Sequence, residues 1–184
     1  MKWSICILTM PERRKYLLRI LSNLREQTEK LNDVDVFFCH PDPALSLGAN
    51  RQRMIDLCEN SSYVNFVDDD DLVSDDYVSS IYPLLDGVDY VGFQVQGYID
   101  GVPQKPTYHT LHCGNWHEDE KGYYRDLSHL NPIRRELALL VPFEGGVGED
   151  HRWADRLRET NAVQTEHYID RVMYHYYFRT RKND

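Results

Sequence analysis

The first apolar residues form a short, nearly unbroken run from Ser4 to Leu8, which suits a strand buried on both faces. Thr9 and Glu12 then have capping-box spacing, with Pro11 in the first turn where its missing N–H does no harm, so a helix is predicted next. Leu17, Ile20, Leu21, Leu24 and Leu31 share one helical stripe, and Arg14, Lys15, Glu26 and Lys30 lie largely off it. Val34 to Cys39 reads as a second strand stopped by Pro41-Asp42-Pro43, Gly48 to Glu59 as a second helix, and Tyr63 to Val67 as a third strand. Asp68 to Asp71 sit at that strand's C-terminal end, before a helix that Ser74 can cap. Such alternation predicts right-handed crossovers and a mainly parallel sheet, with ligands bound outside the carboxyl ends of its strands.

After Asp89 the pattern changes. Tyr90 to Gln96 and Tyr98 to Val102 predict an antiparallel hairpin turning at Asp100-Gly101, and Thr107 to Cys113 is a further β candidate. Gly114 to Ser128, polar and aromatic, reads as a long functional loop. Helices are expected over Arg134–Leu140 and Glu149–Glu159, the second pairing Trp153 with Leu157, and a last strand over Tyr168–Arg179. The expected architecture is one Rossmann-like α/β domain, mainly parallel, with a small antiparallel β element in its C-terminal half.

Composition sharpens this in three ways. At 184 residues the chain suits a single core. No apolar run approaches the roughly 18 residues that cross a bilayer, and the N-terminus has no secretory pattern. Cys6, Cys39, Cys58 and Cys113 lack any Cys-x-x-Cys spacing, so a reducing, cytoplasmic setting is expected, with no membrane partner. The net charge of −9 is uneven: Met54 to Gln104 holds eleven acidic residues and no Lys or Arg. An anionic substrate there needs a cation between itself and the protein. A broad nucleic-acid footprint is disfavoured, although Arg171, Arg179, Arg181 and Lys182 leave room for a small basic patch.

Four places carry candidate chemistry. The run Phe66-Val67-Asp68-Asp69-Asp70-Asp71 packs carboxylates that repel unless solvated, protonated or neutralised, and hard ions such as Mg²⁺ and Mn²⁺ prefer such oxygens. Alternate residues of an Asp-x-Asp differ in direction, so one can hold metal while another meets a ribose; a solvated acidic turn before a helix fits the same residues. Gly145-Gly146-Val147-Gly148-Glu149-Asp150 places acids at a helix start, where a carboxylate can act as general base or simply favour the dipole. In Tyr174-His175-Tyr176 the imidazole suits a first-row metal ion or a plain sheet position. Arg51, opening the helix at Gly48-Ala49-Asn50-Arg51, faces either a diphosphate or solvent. His40, His109, His112, His117, His129, His151 and His167 show no His-Glu-x-x-His spacing and read as mostly structural or loop residues.

Taken in order, Ile5-Cys6-Ile7-Leu8-Thr9 with Pro11-Glu12-Arg13, Gly48-Ala49-Asn50-Arg51, Phe66 to Asp71, Gly148-Glu149-Asp150 and Tyr174-His175-Tyr176 resemble the family 2 glycosyltransferases of the GT-A fold. The resemblance implies a metal-dependent, inverting enzyme that moves a sugar from a nucleotide-sugar donor, expected to be a UDP-sugar, to an acceptor hydroxyl. It implies a nucleotide-sugar-binding half over residues 1–96 and an acceptor-binding half with the catalytic base over 97–184. It assigns Asp150 as base with Glu149 as its partner, and Asp70 and His175 as ligands of Mn²⁺ or Mg²⁺. Thr9, Arg13, Arg51, Asp68 and Asp69 would line the donor pocket. Cys39-His40-Pro41-Asp42-Pro43 departs from the Asp-rich, Ser-containing turn that reads the base in relatives, so Asp42 is a stand-in there. Trp116, His117 and Trp153 are expected at the acceptor, which could be a glycan, a protein or a hydroxylated nucleobase of viral DNA. A nucleotidyltransferase would instead need a Gly-rich, Lys-containing loop for its triphosphate, and a non-catalytic sugar-binding module would have no use for the retained acids.

Overall fold

The computed structural model describes residues 1–180. In chain order the elements are β1 (Trp3–Leu8), a 3-10 turn (Pro11–Arg13), α1 (Arg14–Thr28), β2 (Val34–Cys39), α2 (Leu47–Leu57) and β3 (Tyr63–Phe66). Next come β4 (Leu72–Val73), α3 (Tyr77–Ile81), β5 (Tyr90–Ile99), β6 (Val102–Pro103) and β7 (Thr107–His109). The chain continues through β8 (His117–Glu118), β9 (Tyr123–Arg125), β10 (Ile133–Arg134), α4 (Arg135–Ala138), α5 (Glu149–Glu159) and β11 (Glu166–Phe178).

They form one mixed sheet in the order β2-β1-β3-β10-β5-β7-β9-β8, with β11 alongside β5 and β4. The opening half is parallel, β1 lying between β2 and β3. The short β10 inserts antiparallel between β3 and β5, while β11 runs parallel to β5 as far as Phe178 and pairs antiparallel with β4 at Tyr174 and His175. The expected Asp-Gly turn joins β5 to β6, with Asp100 at φ 50° and Gly101 at φ 83°, as a tight hairpin of this twist requires. The division at 96/97 falls inside β5, so the two halves share a strand.

Strand alternation feeds two cores. Trp3, Ile5 and Ile7 of β1 meet the Leu17, Ile20 and Leu24 stripe of α1 on one face. Cys6, Val64 and Phe66 meet Met54 and Ile55 of α2 and Trp153 and Leu157 of α5 on the other. Burying side chains of this size stabilises by about 1.5–3 kcal/mol each, which fixes the sheet as a platform. A polar bolt crosses it. The Trp3 indole N–H donates to Asn65 Oδ1 at 2.8 Å, and Asn65 Nδ2 donates to the Leu130 carbonyl at 3.0 Å.

The Thr9/Glu12 capping box does not form. The 3-10 turn that opens this region makes no side-chain cap bond, and the Thr9 hydroxyl donates instead to Asp69 Oδ2 at 2.6 Å. A buried carboxylate outcompetes a solvent-facing turn for that hydroxyl. Of the basic patch, Arg181 and Lys182 lie outside the described residues, and Arg171 is paired with Asp76.

Candidate functional site

The acidic run leaves β3 as a turn in which alternate side chains diverge. Asp69 and Asp71 are buried, whereas Asp68 and Asp70 keep 30% and 38% of their side chains exposed. Asp69 is held by Thr9 and by Arg13 at 2.9 Å, so it is a structural anchor rather than a ribose ligand. Asp71 accepts from the Tyr174 hydroxyl and the Tyr177 N–H, both at 2.8 Å, and the Tyr174 hydroxyl in turn accepts from the Asp68 N–H at 3.0 Å. Burial, with the Asp68 charge nearby, pushes the Asp71 carboxyl up to about 8. Two of the four acids therefore hold the turn, and two face outward.

Asp68 meets groups from three other segments. Ser46 caps α2 by accepting from the Ala49 N–H at 3.2 Å, which sets the helix start and with it Arg51. The buried Arg51 guanidinium reaches Asp68 at 3.0 Å and Glu149 at 2.9 Å. Glu149 and Asp150 open α5 directly after Gly148, whose φ of 81° is the left-handed conformation that favours glycine. The segment 126–131 brings His129 between the acids, its Nδ1 3.4 Å from Asp150 and its Nε2 4.0 Å from Asp68. The His129 carbonyl is fixed by the Phe66 N–H at 2.8 Å, and Asp126 is clamped by Arg158 of α5.

These side chains border a cavity of about 340 Å³ whose far wall holds Thr107, His109, Trp116, Arg125 and Tyr176. Burial opposes the Asp68 charge, but Arg51 and His129 override it and hold the carboxyl well below the usual range. Burial likewise opposes ionisation of Asp150, yet His129, the His151 N–H and Arg51 leave its pKa lowered, so it is a carboxylate at neutral pH.

The remaining expected residues divide. Trp116 lines the cavity. Arg13 sits beside the acids, paired to Asp70 as well as Asp69. Asp42 faces solvent in its turn, accepting from the Ala44 N–H, with Arg53 at 3.8 Å. Trp153 is not at a binding surface: it is buried, stacked on Phe143 with ring centroids 4.6 Å apart, because its position in α5 points into the second core. His117 pairs with Tyr124 and stacks on it at 4.5 Å, on the sheet face opposite Arg125. His175 is also turned away. Its strand neighbours Tyr174 and Tyr176 point to the acids and the cavity, and alternation sends His175 to the other face against Tyr98. His129, which carries no periodic or motif signal, takes the position between the acids.

Among the described residues no three His, Cys, Asp or Glu side chains gather as a ready cation cage. A Mg²⁺- or Mn²⁺-type ion is nevertheless commonly held by one or two carboxylates, with substrate phosphates and water completing its shell. The outward Asp68 and Asp70 carboxylates are of the type such an ion takes, and here Arg13 and Arg51 balance their charge; His175, on the other face of β11, is not placed to join them.

No protein-family model and no curated protein matches the sequence. Solved structures do match in shape. Staphylococcus aureus TarS residues 1–349, in complex with UDP-GlcNAc, superposes with a TM-score of 0.69 at 17% identity, covering 100% of this chain and 60% of that one. A Drosophila beta-1,4-galactosyltransferase 7 variant, in complex with manganese, UDP-Gal and xylobiose, gives 0.57 at 12% identity over 90% of this chain and 65% of that one. A glycosyltransferase involved in glycosylating the major capsid of PBCV-1 gives 0.54 at 10% identity over 96% and 93%. The chain thus spans about 60% of the TarS fragment and 37% of a longer TarS structure. With its parallel β1–β3 platform, the acidic turn after β3 and the late strand β11 beside β5, the chain has the Rossmann-like GT-A fold of these glycosyltransferases.

Proposed function

We propose that the protein is an inverting glycosyltransferase that moves a sugar from a nucleotide-sugar donor, a UDP-sugar, to an acceptor hydroxyl, using Mn²⁺ or Mg²⁺. The observation that carries this reading is the convergence of Asp68, Arg51, Glu149, His129 and Asp150 on one cavity from four separate segments of the chain. The neighbours in complex with UDP-GlcNAc and UDP-Gal support a uridine donor.

In this reading the Asp150 carboxylate takes the proton of the acceptor hydroxyl as its oxygen attacks the anomeric carbon. The bond to the nucleoside diphosphate breaks on the opposite face, and the single displacement inverts the configuration. His129 steadies Asp150 from 3.4 Å, and Glu149 holds Arg51 against Asp68, so the base and the donor side keep a fixed spacing. A divalent cation held by Asp68 and Asp70 would supply charge to the departing diphosphate. Donor contacts fall to Arg13, Arg51 and Asp68, with Asp42 the candidate for the nucleobase. The acceptor, whether glycan, protein or hydroxylated nucleobase, enters by the wall carrying Trp116. No helix among the described residues is long and apolar enough to cross a membrane. The four cysteines are free thiols, which supports a reducing, cytoplasmic setting.

The test is UDP release from a panel of UDP-sugars with Mn²⁺ or Mg²⁺ and candidate acceptors. Asp150→Asn should lose about 10²–10⁴-fold in turnover while still binding UDP with the metal. Turnover of Asp150→Asn at the wild-type rate on a confirmed acceptor would sink the assignment.

A further inference from the structure

The wall of the cavity away from Asp68 carries polar groups that the fold leaves without partners. Arg125, on β9, shares a sheet face with Thr107 and His109, and all three border the cavity. Its guanidinium lies 4.0 Å from the Trp116 ring centroid, and the indole touches the His151 ring at 3.8 Å. Yet no carboxylate among the described residues pairs with Arg125, and burial lowers its pKa rather than any acid raising it fully. The Trp116 Nε1–H is buried in the same wall with no acceptor.

Both groups only donate, and neither can accept a hydrogen bond. Leaving the buried indole N–H unpaired costs free energy that a ligand recovers, and the half-buried guanidinium beside it offers that ligand a charge no protein acid neutralises at contact. A neutral sugar hydroxyl can accept from these donors but offers the guanidinium no countercharge. A carboxylate or phosphate oxygen pair accepts from the fork of an arginine and from a neighbouring N–H together. The aromatic plane also holds the guanidinium in place, so little side-chain freedom is lost on binding. Asp150 borders the same cavity, which limits where a negative group can sit: against Arg125, with the reacting hydroxyl turned toward the base.

Resting on the glycosyltransferase reading, we propose that Arg125 and Trp116 form an anion subsite for the acceptor, whose glycosylated hydroxyl lies close to a carboxylate or phosphate group. The acceptor class is therefore an acidic glycan or a phosphate-bearing polyol rather than a neutral sugar.

Trp116 provides its own reporter, because Trp3 and Trp153 are fully buried and their indole N–H groups are already bonded. Tryptophan fluorescence of the protein with UDP and Mn²⁺ would be titrated with methyl glucuronide against methyl glucoside, and with glycerol phosphate against glycerol. The anionic member of each pair should bind about tenfold more tightly or better, and salt should weaken it. Arg125→Gln should abolish the preference and Arg125→Lys should keep part of it for phosphate, while Trp116→Phe should remove the signal. Equal affinities within each pair, or an unchanged preference in Arg125→Gln, would overturn the proposal. Since a donor sugar can also carry a carboxylate, UDP-glucose and UDP-glucuronate are compared in wild type and Arg125→Gln. Discrimination appearing only between those donors would move the subsite to the donor and equally overturn the acceptor assignment. UDP affinity, read separately by thermal shift, tells the two levels apart. Loss of UDP binding in the wild type defeats the glycosyltransferase reading, whereas intact UDP binding without anion preference defeats only this one.

Discussion

Replacing Arg51 by methionine would test whether the ion-pair knot between α2, β3 and α5 holds the site together. The side chain is 8% exposed and divides its donors between Glu149, 3% exposed, and Asp68, 30% exposed. Methionine keeps much of the length and none of the charge, so Arg51→Met strands the Glu149 carboxylate. Removing one partner of a buried pair typically costs about 3–5 kcal/mol, chiefly the price of the charge left behind. Asp68 adds little because water reaches it. For a domain of this size each kcal/mol lowers Tm by about 2–4 °C, so a drop of roughly 10 °C is expected. Urea unfolding followed by tryptophan fluorescence gives the free energy directly. One signature separates a stranded charge from lost packing: Arg51→Met with Glu149→Met should recover at least half of the penalty. A single variant within about 0.5 kcal/mol of wild type, or a double variant whose losses simply add, would refute the reasoning.

Three further expectations follow from the same geometry. A Cβ at Gly48 would come within 2.7 Å of the Glu144 backbone in the loop that leads to Asp150; Gly48→Ala should therefore lower turnover, the strain of about 1–3 kcal/mol exceeding the helix gain of about 1 kcal/mol, and an equally active, more stable variant would contradict this. His109 is buried against Arg125, and burial pushes its pKa down to about 3 despite the 2.6 Å bond to Asn131. Its unfolded value near 6.5 means that the unfolded chain takes the proton first, so the stability it confers is complete above about pH 6.5 and lost as pH falls toward 3. Roughly 2 kcal/mol should go between pH 6.5 and 5, and His109→Gln should flatten that part of the urea-unfolding profile. Finally, EDTA should abolish sugar transfer yet leave the Tm of the nucleotide-free protein within about 1 °C, since substrate phosphates complete the proposed ion's shell; a large drop in Tm would point to a structural metal instead.

The sequence revealed elements wherever local periodicity or turn chemistry sets them. The Glu149–Glu159 helix, the Val34–Cys39 strand and the Asp100-Gly101 turn all occupy the residues expected. What escaped it depends on distance. β10 is two residues long, too short for any period, and takes its place from pairing with β3 and β5. His129 lies in a segment with neither helical nor strand pattern, which is placed by remote partners: Asn65 on Leu130, Arg158 on Asp126 and the Phe66 N–H on the His129 carbonyl. His175 misled because a motif marks a residue and not the side of the strand on which its side chain emerges; its alternation partners Tyr174 and Tyr176 take the inward places. Trp153 misled because an aromatic in an amphipathic helix looks the same from sequence whether it serves a ligand or a core.

The tether from Asp71 to Tyr174 and Tyr177 also bears on how the molecule matures. The acidic turn is made early in synthesis, but the hydroxyl and amide that hold its Asp71 belong to a strand translated some hundred residues later. A nascent chain can assemble its opening parallel strands while still on the ribosome, with Asp69 already held by Thr9 and Arg13, yet the Asp71 tether waits until β11 has emerged and docked along β5. The two fastenings of the one turn are therefore made at opposite ends of translation, the second as a single late event.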